Sequence, residues 1–544
     1  MSGAGGVRGL RRDTAFDGWG PAESKPELSE SVRALLRDRL GDTPPSPGVE
    51  LGSVAVPPAG EIPREVVDAA GGAQAASTSD EDRIRHAAGS SYPDLIALRS
   101  GTLSEVPDAV LAPESAEAVA ATVAACSKAR VAVVPFGGGT SVVGGVAPDR
   151  GEFERVVSLD LTNLRRVDVD PVSLTAHLGP GLRGPEAEAA LNAQGYTLGH
   201  FPQSYRYATI GGFAATRSAG QASSGYGRFD ALVTGVELAA PVGTMRTLRT
   251  PHTAAGPQLR ELVVGSEGTL GVITDVQTRI RPAPEAKHYE AWFAESFDSG
   301  VEIIRALAQS GELPDVVRLS DEDETEVSLA MAGLTGLKKA GLERYLKLRR
   351  REGGCMLIFG WEGEREAADR RRELSRRIVR GGGAVPLGAS AGKSWEHGRY
   401  DGPHLRDALI DAGVFVETLE TAHSYSGIGG LHTAVREALL RAVGSGVVMC
   451  HVSHAYRDGA SLYFTFLTAA RPGDEIAQWR EIKTKACEAI VAAGGTITHH
   501  HAVGRDHAPY MEAEVGSLGL EMIRGAKERL DPVGVMNPGK LLPR

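Results

Sequence analysis

This chain lacks paired cysteines: Cys126, Cys355, Cys450 and Cys487 stand far apart and form no CxxC motif. A zinc knuckle or a disulfide framework is thereby disfavoured, and a reducing compartment is expected. Long apolar runs are also missing; none approaches the ~20 residues that a membrane helix needs. The start, Met1 to Thr14, carries Arg8, Arg11 and Arg12 but no apolar core long enough for a signal peptide. Nor is there a basic excess. The net charge of -10 argues against a general nucleic-acid binder, while leaving room for a local basic pocket around an anionic substrate. A soluble cytoplasmic protein is the expectation.

What the chain does have is length and glycine. At 544 residues it exceeds one compact core, so two or more domains are expected. From about residue 106 to 283, helices and strands alternate. Ser115 reads as the N-cap of a helix running to Lys128, Val131 to Pro135 as a short apolar strand, and Pro185 to Ala193 as a helix stopped by Gly195. Val233 to Ala239 pairs naturally with Met245 to Leu248. Such alternation predicts α/β layers. Beyond His288 longer charged helices mix with apolar strands, among them Cys355 to Trp361, Val447 to His454 and Ser461 to Leu467. The chain thus divides into an N-terminal helical and extended segment (1–103), a nucleotide-binding domain (104–284), a second α/β domain (285–501) and a C-terminal return segment (502–544).

Many of the 68 glycines cluster between residues 137 and 271. The first cluster, Pro135, Phe136, Gly137, Gly138, Gly139, Thr140 and Ser141, follows an apolar strand. Consecutive glycines bring backbone N–H groups close to a ligand, and the two hydroxyls add donors, which suits a pyrophosphate. It is neither a Walker loop nor a GxGxxG turn. A tight turn without a ligand would explain one such loop. It does not explain two more: Thr209 to Gly212 leading into Thr216 to Gly220, and Gly265 to Gly271 before Val272 and Ile273. An extended, phosphate-bearing cofactor accounts for all three.

The order PFGGGTS, GHFPQS, TIGG and GSEGTLGVI resembles the FAD domain of the vanillyl-alcohol-oxidase and p-cresol-methylhydroxylase superfamily. The resemblance implies a mixed α/β (α+β) architecture, with FAD between two subdomains and an α/β cap over the isoalloxazine. Pro135 to Ser141 would hold the pyrophosphate. Gln203, Ser204, Thr209, Gly211, Gly212, Thr216, Arg217, Ser218 and Ala219 would line the cofactor. Glu267, Gly268, Thr269, Leu270, Gly271, Val272 and Ile273 would contact its adenosine or ribityl side. No histidine lies in or beside PFGGGTS, so FAD is expected to be non-covalent.

Most of the chain further resembles the alkyldihydroxyacetonephosphate synthase family. Asp17-Gly-Trp-Gly20, Asp94 to Gly101 with Pro107 and Asp108, Val317 to Leu319, Leu405 to Asp407, Glu417 to Thr421, Leu462 to Phe464 and His499-His500-His501 carry the likeness. That family exchanges the acyl group of acyl-dihydroxyacetone phosphate for a long-chain alcohol without net redox change, flavin N5 serving as nucleophile. The resemblance assigns Tyr463, His499, His500, His501 and Arg318 to catalysis and Arg406 to the substrate phosphate. Two departures stand out. Ala502 occupies a position where glycine is expected, and the ending Asp531 to Lys540 is closer to the NPGK tail of FAD-dependent 2-hydroxyacid dehydrogenases.

The same residues can be read by their own chemistry. Strand alternation places Tyr463 with Ser461 and Thr465, opposite Leu462, Phe464 and Phe466, where a tyrosine facing a polar cavity can move a proton or simply bind a carbonyl. If residues 497–501 are extended, His499 and His501 share one face and His500 the other. Proton carriers, a metal pair and structural histidines all remain open; no metal is assigned, because His507 is the only nearby candidate for a third ligand. Arg318 and Arg406 read either as phosphate clamps or as ion pairs. The basic amphipathic stretch from Leu334 to Arg351 is either a lipid contact or a solvated helix face. The competing activity is oxidation of a 2-hydroxy acid by FAD. A small-molecule lipid or hydroxy acid is the expected partner, with no nucleic acid. A homodimer and a peripheral membrane contact are left open.

Overall fold

A computed structural model describes residues 7, 9–21, 27–248, 250–332 and 336–543. Arg8 and Leu334, both used above, lie outside the described residues. The architecture is a mixed α/β fold of three main sheets.

The first sheet begins the nucleotide-binding half. Val131–Phe136 and Ala109–Leu111 run parallel on either side of Arg155–Asp160, and Ala76–Ser77 adds an antiparallel edge. These strands are almost continuously apolar and buried, as a parallel sheet covered on both faces requires. Ala116–Ala129 packs on the sheet; the Ser115 hydroxyl accepts from Ala118 N to start the helix. The chain end closes the layer: Val133 N donates to Val535 O, and Asn537 N donates back to Val133 O, both at 2.8 Å. The second sheet is antiparallel in the order Val167–Asp170, Thr175–Leu178, Val272–Arg279, Val233–Ala240, Gly243–Arg246.

The third sheet builds the cap. Seven antiparallel strands run in the order Val385–Gly388, Ala286–Ala294, Cys355–Gly363, Val316–Ser320, Gly446–Ala455, Gly459–Ala469, Val414–Ser424. One face carries the largest core cluster, in which Val448, Cys450, Val452, Leu462, Phe464 and Phe466 meet helices Phe297–Ser310 and Tyr425–Val443. By the two-residue period of a strand, the alternate residues point the other way. Val447, Met449, His451 and Ser453 on one strand, with Tyr463 and Thr465 on the next, therefore face a cavity. All four cysteines are buried and unpaired.

Candidate active site

A cavity of about 540 Å³ lies between the glycine loops and the open face of the cap sheet. Its floor is made of backbone pressed close together. A Cβ added to Gly138 would sit 2.2 Å from Tyr207 O, one added to Gly137 would sit 2.3 Å from Thr209 Oγ1, and one added to Gly268 would sit 2.8 Å from Pro135 Cγ. Glycine at these positions lets three loops crowd around one elongated space. Amides and the hydroxyls of Thr140, Ser141, Ser204 and Thr209 line it there, a donor set that fits a diphosphate. Gly138→Ala is expected to weaken FAD binding by roughly 10–100-fold through ~1–3 kcal/mol of overpacking. The flavin-to-protein absorbance ratio of the purified variant checks it.

Pro135 to Ser141, Gln203, Ser204, Thr209, Gly211, Gly212, Thr216, Ser218, Ala219, Glu267, Gly268, Gly271, Val272 and Ile273 all line this cavity. Three predicted contacts do not. Arg217 turns outward, donating to Val264 O and Glu261, because a long cation finds neutralising carboxylates there. The Thr269 hydroxyl closes a local turn onto Ser266 O, and Leu270 is spent in the apolar core.

On the cap side, Tyr463 lies directly across the ladder from His451 and, on its other flank, from Glu420. The His451 ring stacks on Tyr463 at 5.0 Å between centroids. Arg318 and His451 Nδ1 both reach the Glu324 carboxylate, the histidine at 3.0 Å. Burial alone would raise Glu324, but His451 and Arg318 outweigh it and pull it down to about 2. Arg318 is thus a paired residue that braces the tyrosine's neighbour. Arg406 is buried, 3.3 Å from Glu417, and its Nε has no partner among the described residues. Burial pushes the Tyr463 hydroxyl up to about 12, so it keeps its proton at neutral pH.

The triple histidine is not extended. Glu420, fully buried, accepts from Thr498 Oγ1 (2.6 Å), His499 N (2.6 Å), His500 N (3.1 Å) and His501 N (2.8 Å). Three successive amides converging on one carboxylate bend the segment into a loop, so the expected two-residue alternation fails. His500 and His501 line the cavity, whereas His499 lies behind it with Nε2 2.7 Å from the Tyr456 hydroxyl. Burial depresses all three imidazoles, which are neutral near pH 7. Burial alone would raise Glu420; the surrounding histidines and the donated hydrogen bonds hold it well below the usual range.

Sequence reasoning missed Glu324, His451 and His454 and gave Glu420 no role of its own. Glu420 lay within the quoted Glu417 to Thr421 motif; the others carried no local signal.

A model of the FAD binding domain matches residues 107–249, and one of the C-terminal domain of FAD linked oxidases matches residues 283–541. The alkyldihydroxyacetonephosphate synthase of Dictyostelium discoideum is 32% identical over 473 residues, 85% of this chain and 77% of that one. The chain belongs to the alkyldihydroxyacetonephosphate synthase family. A crystal structure of an alkyldihydroxyacetonephosphate synthase superposes with a TM-score of 0.83 at 28% identity, covering 97% of this chain and 98% of the other. p-Cresol methylhydroxylase shares the fold at 15% identity, covering 90% of this chain and 98% of that one, with a TM-score of 0.67. The cofactor is FAD, and the chain is an FAD-dependent enzyme.

Both departures from the alkyldihydroxyacetonephosphate synthase pattern now have a structural reading. Ala502 adopts φ 75°, a left-handed conformation that favours glycine. Ala502→Gly is expected to stabilise the protein by ~1 kcal/mol, readable as a higher denaturant midpoint. Asn537 of the NPGK tail donates to Gly145 O and Glu267 O. That tail therefore latches the nucleotide-binding half.

Proposed function

We propose that this enzyme exchanges the acyl group of an acyl-dihydroxyacetone phosphate for a long-chain alcohol, forming an ether lipid precursor and releasing a fatty acid. The observation that carries the reading is the two-part chemistry of one cavity. Its inner end gathers Tyr463, His500, His501, Arg318 and Arg406; its outer arm is aliphatic, with Val32, Leu35, Leu36, Val327, Met331 and Leu409. Two substrates, one phosphorylated and one a hydrocarbon, match those ends.

FAD, held non-covalently, supplies a nucleophilic N5 and no net redox change. Arg406 meets the substrate phosphate with a donor that no described protein group uses. His500 or His501, neutral and adjacent, accepts a proton from substrate carbon and returns one to that carbon as the ether product forms. Tyr463, still protonated, donates to the departing carboxylate and takes the proton of the incoming alcohol. His451, fixed by Glu324 and Arg318, keeps the tyrosine ring in place.

The test is anaerobic. Mixing the FAD-loaded enzyme with acyl-dihydroxyacetone phosphate and labelled fatty alcohol should give labelled ether product without any electron acceptor. Bleaching of the flavin by a 2-hydroxy acid, with no alcohol exchange, would overturn the proposal.

The alcohol's source is proposed to be a membrane surface. Among the described residues no helix is long and apolar enough to cross a membrane. The aliphatic arm reaches Met331, and the helix Gly336–Leu348 that follows exposes Leu337 (92%) and Leu348 (80%) beside Lys338, Lys339, Arg344 and Lys347. Binding to anionic vesicles is expected to fall as salt is raised from 50 to 500 mM, roughly as screening predicts. Co-sedimentation checks this; equal binding to neutral vesicles would refute it.

A further inference from the structure

We propose that His454, His499 and His500 form a binding site for one transition-metal ion of the zinc class, opening onto the cavity. Each ring offers a nitrogen, and these three atoms lie within 4.8 Å of one another. The third imidazole is not the nearby His507, whose Nδ1 is engaged with Ala502 O at 3.0 Å. It comes from His454 on Gly446–Ala455, a strand that faces the histidine loop.

Three observations support a ligand here beyond the proximity of the rings. First, His454 Nδ1 is buried and has no hydrogen-bond partner among the described residues. An orphaned nitrogen on a residue that also lines the cavity is a lone pair without an occupant. Second, His499 Nδ1 and His500 Nδ1 face each other at 3.0 Å. One shared proton satisfies that contact, and a metal ion can replace the proton. Third, one outer partner of a metal site is in place: Tyr456 holds His499 through Nε2 at 2.7 Å and leaves Nδ1 turned to the cluster. A tetrahedral zinc with Zn–N of about 2.0–2.1 Å needs nitrogens about 3.4 Å apart. Small rotations of the rings reach that spacing.

The donor set selects the ion. Three imidazole ligands favour zinc, copper or nickel over magnesium or calcium. Three protein ligands leave the fourth position to a water or an anion from the cavity. On the transfer reading of this site, an ion there captures His500, one of the two proton acceptors, and the metal-loaded enzyme exchanges alcohol more slowly.

The experiment titrates zinc sulfate into FAD-loaded protein by calorimetry, with anomalous scattering from a zinc-soaked crystal to place the ion. One ion per chain is expected, with an anomalous peak among the three rings. His454→Ala, still yellow, should weaken binding at least tenfold; His454→Gln serves if the alanine variant does not fold. Millimolar magnesium should not displace the zinc. Wild-type affinity in both His454 variants, a peak elsewhere, no uptake, or displacement by magnesium would each overturn the site. Binding is read without substrate. Zinc that sits among the rings yet leaves exchange intact therefore supports the metal site and assigns the proton to His501 in place of His500.

Discussion

Tyr463→Phe is expected to lower kcat for alcohol exchange by about 10²–10⁴-fold, the range a positioned proton donor supplies, with flavin content unchanged. The substitution removes one oxygen and leaves the ring. Its stacking on His451, and the edge contact with His501 at 5.4 Å, depend on the ring and should survive. The strand around it is held by Leu462, Phe464 and Phe466 in the opposite core. Folding and FAD retention should therefore match wild type, and the KM for the phosphorylated substrate should move little, since Arg406 is untouched. Steady-state exchange with labelled alcohol measures the effect. A loss below threefold would show that the hydroxyl carries no proton in the rate-limiting step.

Glu420→Gln is expected to cost about 100-fold in kcat, the penalty that a 1 Å misplacement of a catalytic group can impose. Glu420 does not itself line the cavity and acts through the histidines it holds; it is a positioning residue. Its two oxygens take four donors. Glutamine keeps one acceptor and turns an NH2 against an N–H, and a buried donor left unmet costs ~1–3 kcal/mol. The histidine loop should lose its shape while the glycine loops, which Glu420 does not touch, still bind FAD. Two readouts separate this from general destabilisation: faster amide exchange confined to residues near 498–501, and partial recovery in Glu420→Asp, which keeps the charge. A variant with unaltered kcat and an unaltered exchange pattern would refute the role.

The glycine loops were legible because a phosphate cradle is built from backbone, and the sequence spells backbone freedom directly as Gly, Ser and Thr. Tyr463 was legible for a similar reason. Its neighbours Leu462 and Phe464 announce a strand period, so its direction follows. Arg217 misled because position within a motif says nothing about where a long side chain can reach; Glu261 decided that. The histidine loop misled because its shape is imposed by Glu420, about 80 residues away in sequence. Glu324, His451 and His454 were hidden for the same cause. His451 and His454 enter the site by pairing across strands, which the order of the seven-stranded sheet fixes, and Glu324 comes from the helix Glu322–Met331 packed beside them. Arg318 and Arg406 were both given an open choice between ligand and ion pair. The structure shows both in ion pairs, and the buried Nε of Arg406 has no partner among the described residues.

The Glu267 side chain has a wider consequence. It sits in the third glycine loop, yet its carboxylate accepts from Val503 N (2.9 Å) and Gly504 N (2.7 Å), just past the histidines. Burial pushes it up to about 7. The segment that grips the cofactor and the segment that handles protons thus share a single hinge pin. Any shift of the Glu267 loop is then felt at Val503 and Gly504, so the two halves of the site are set together.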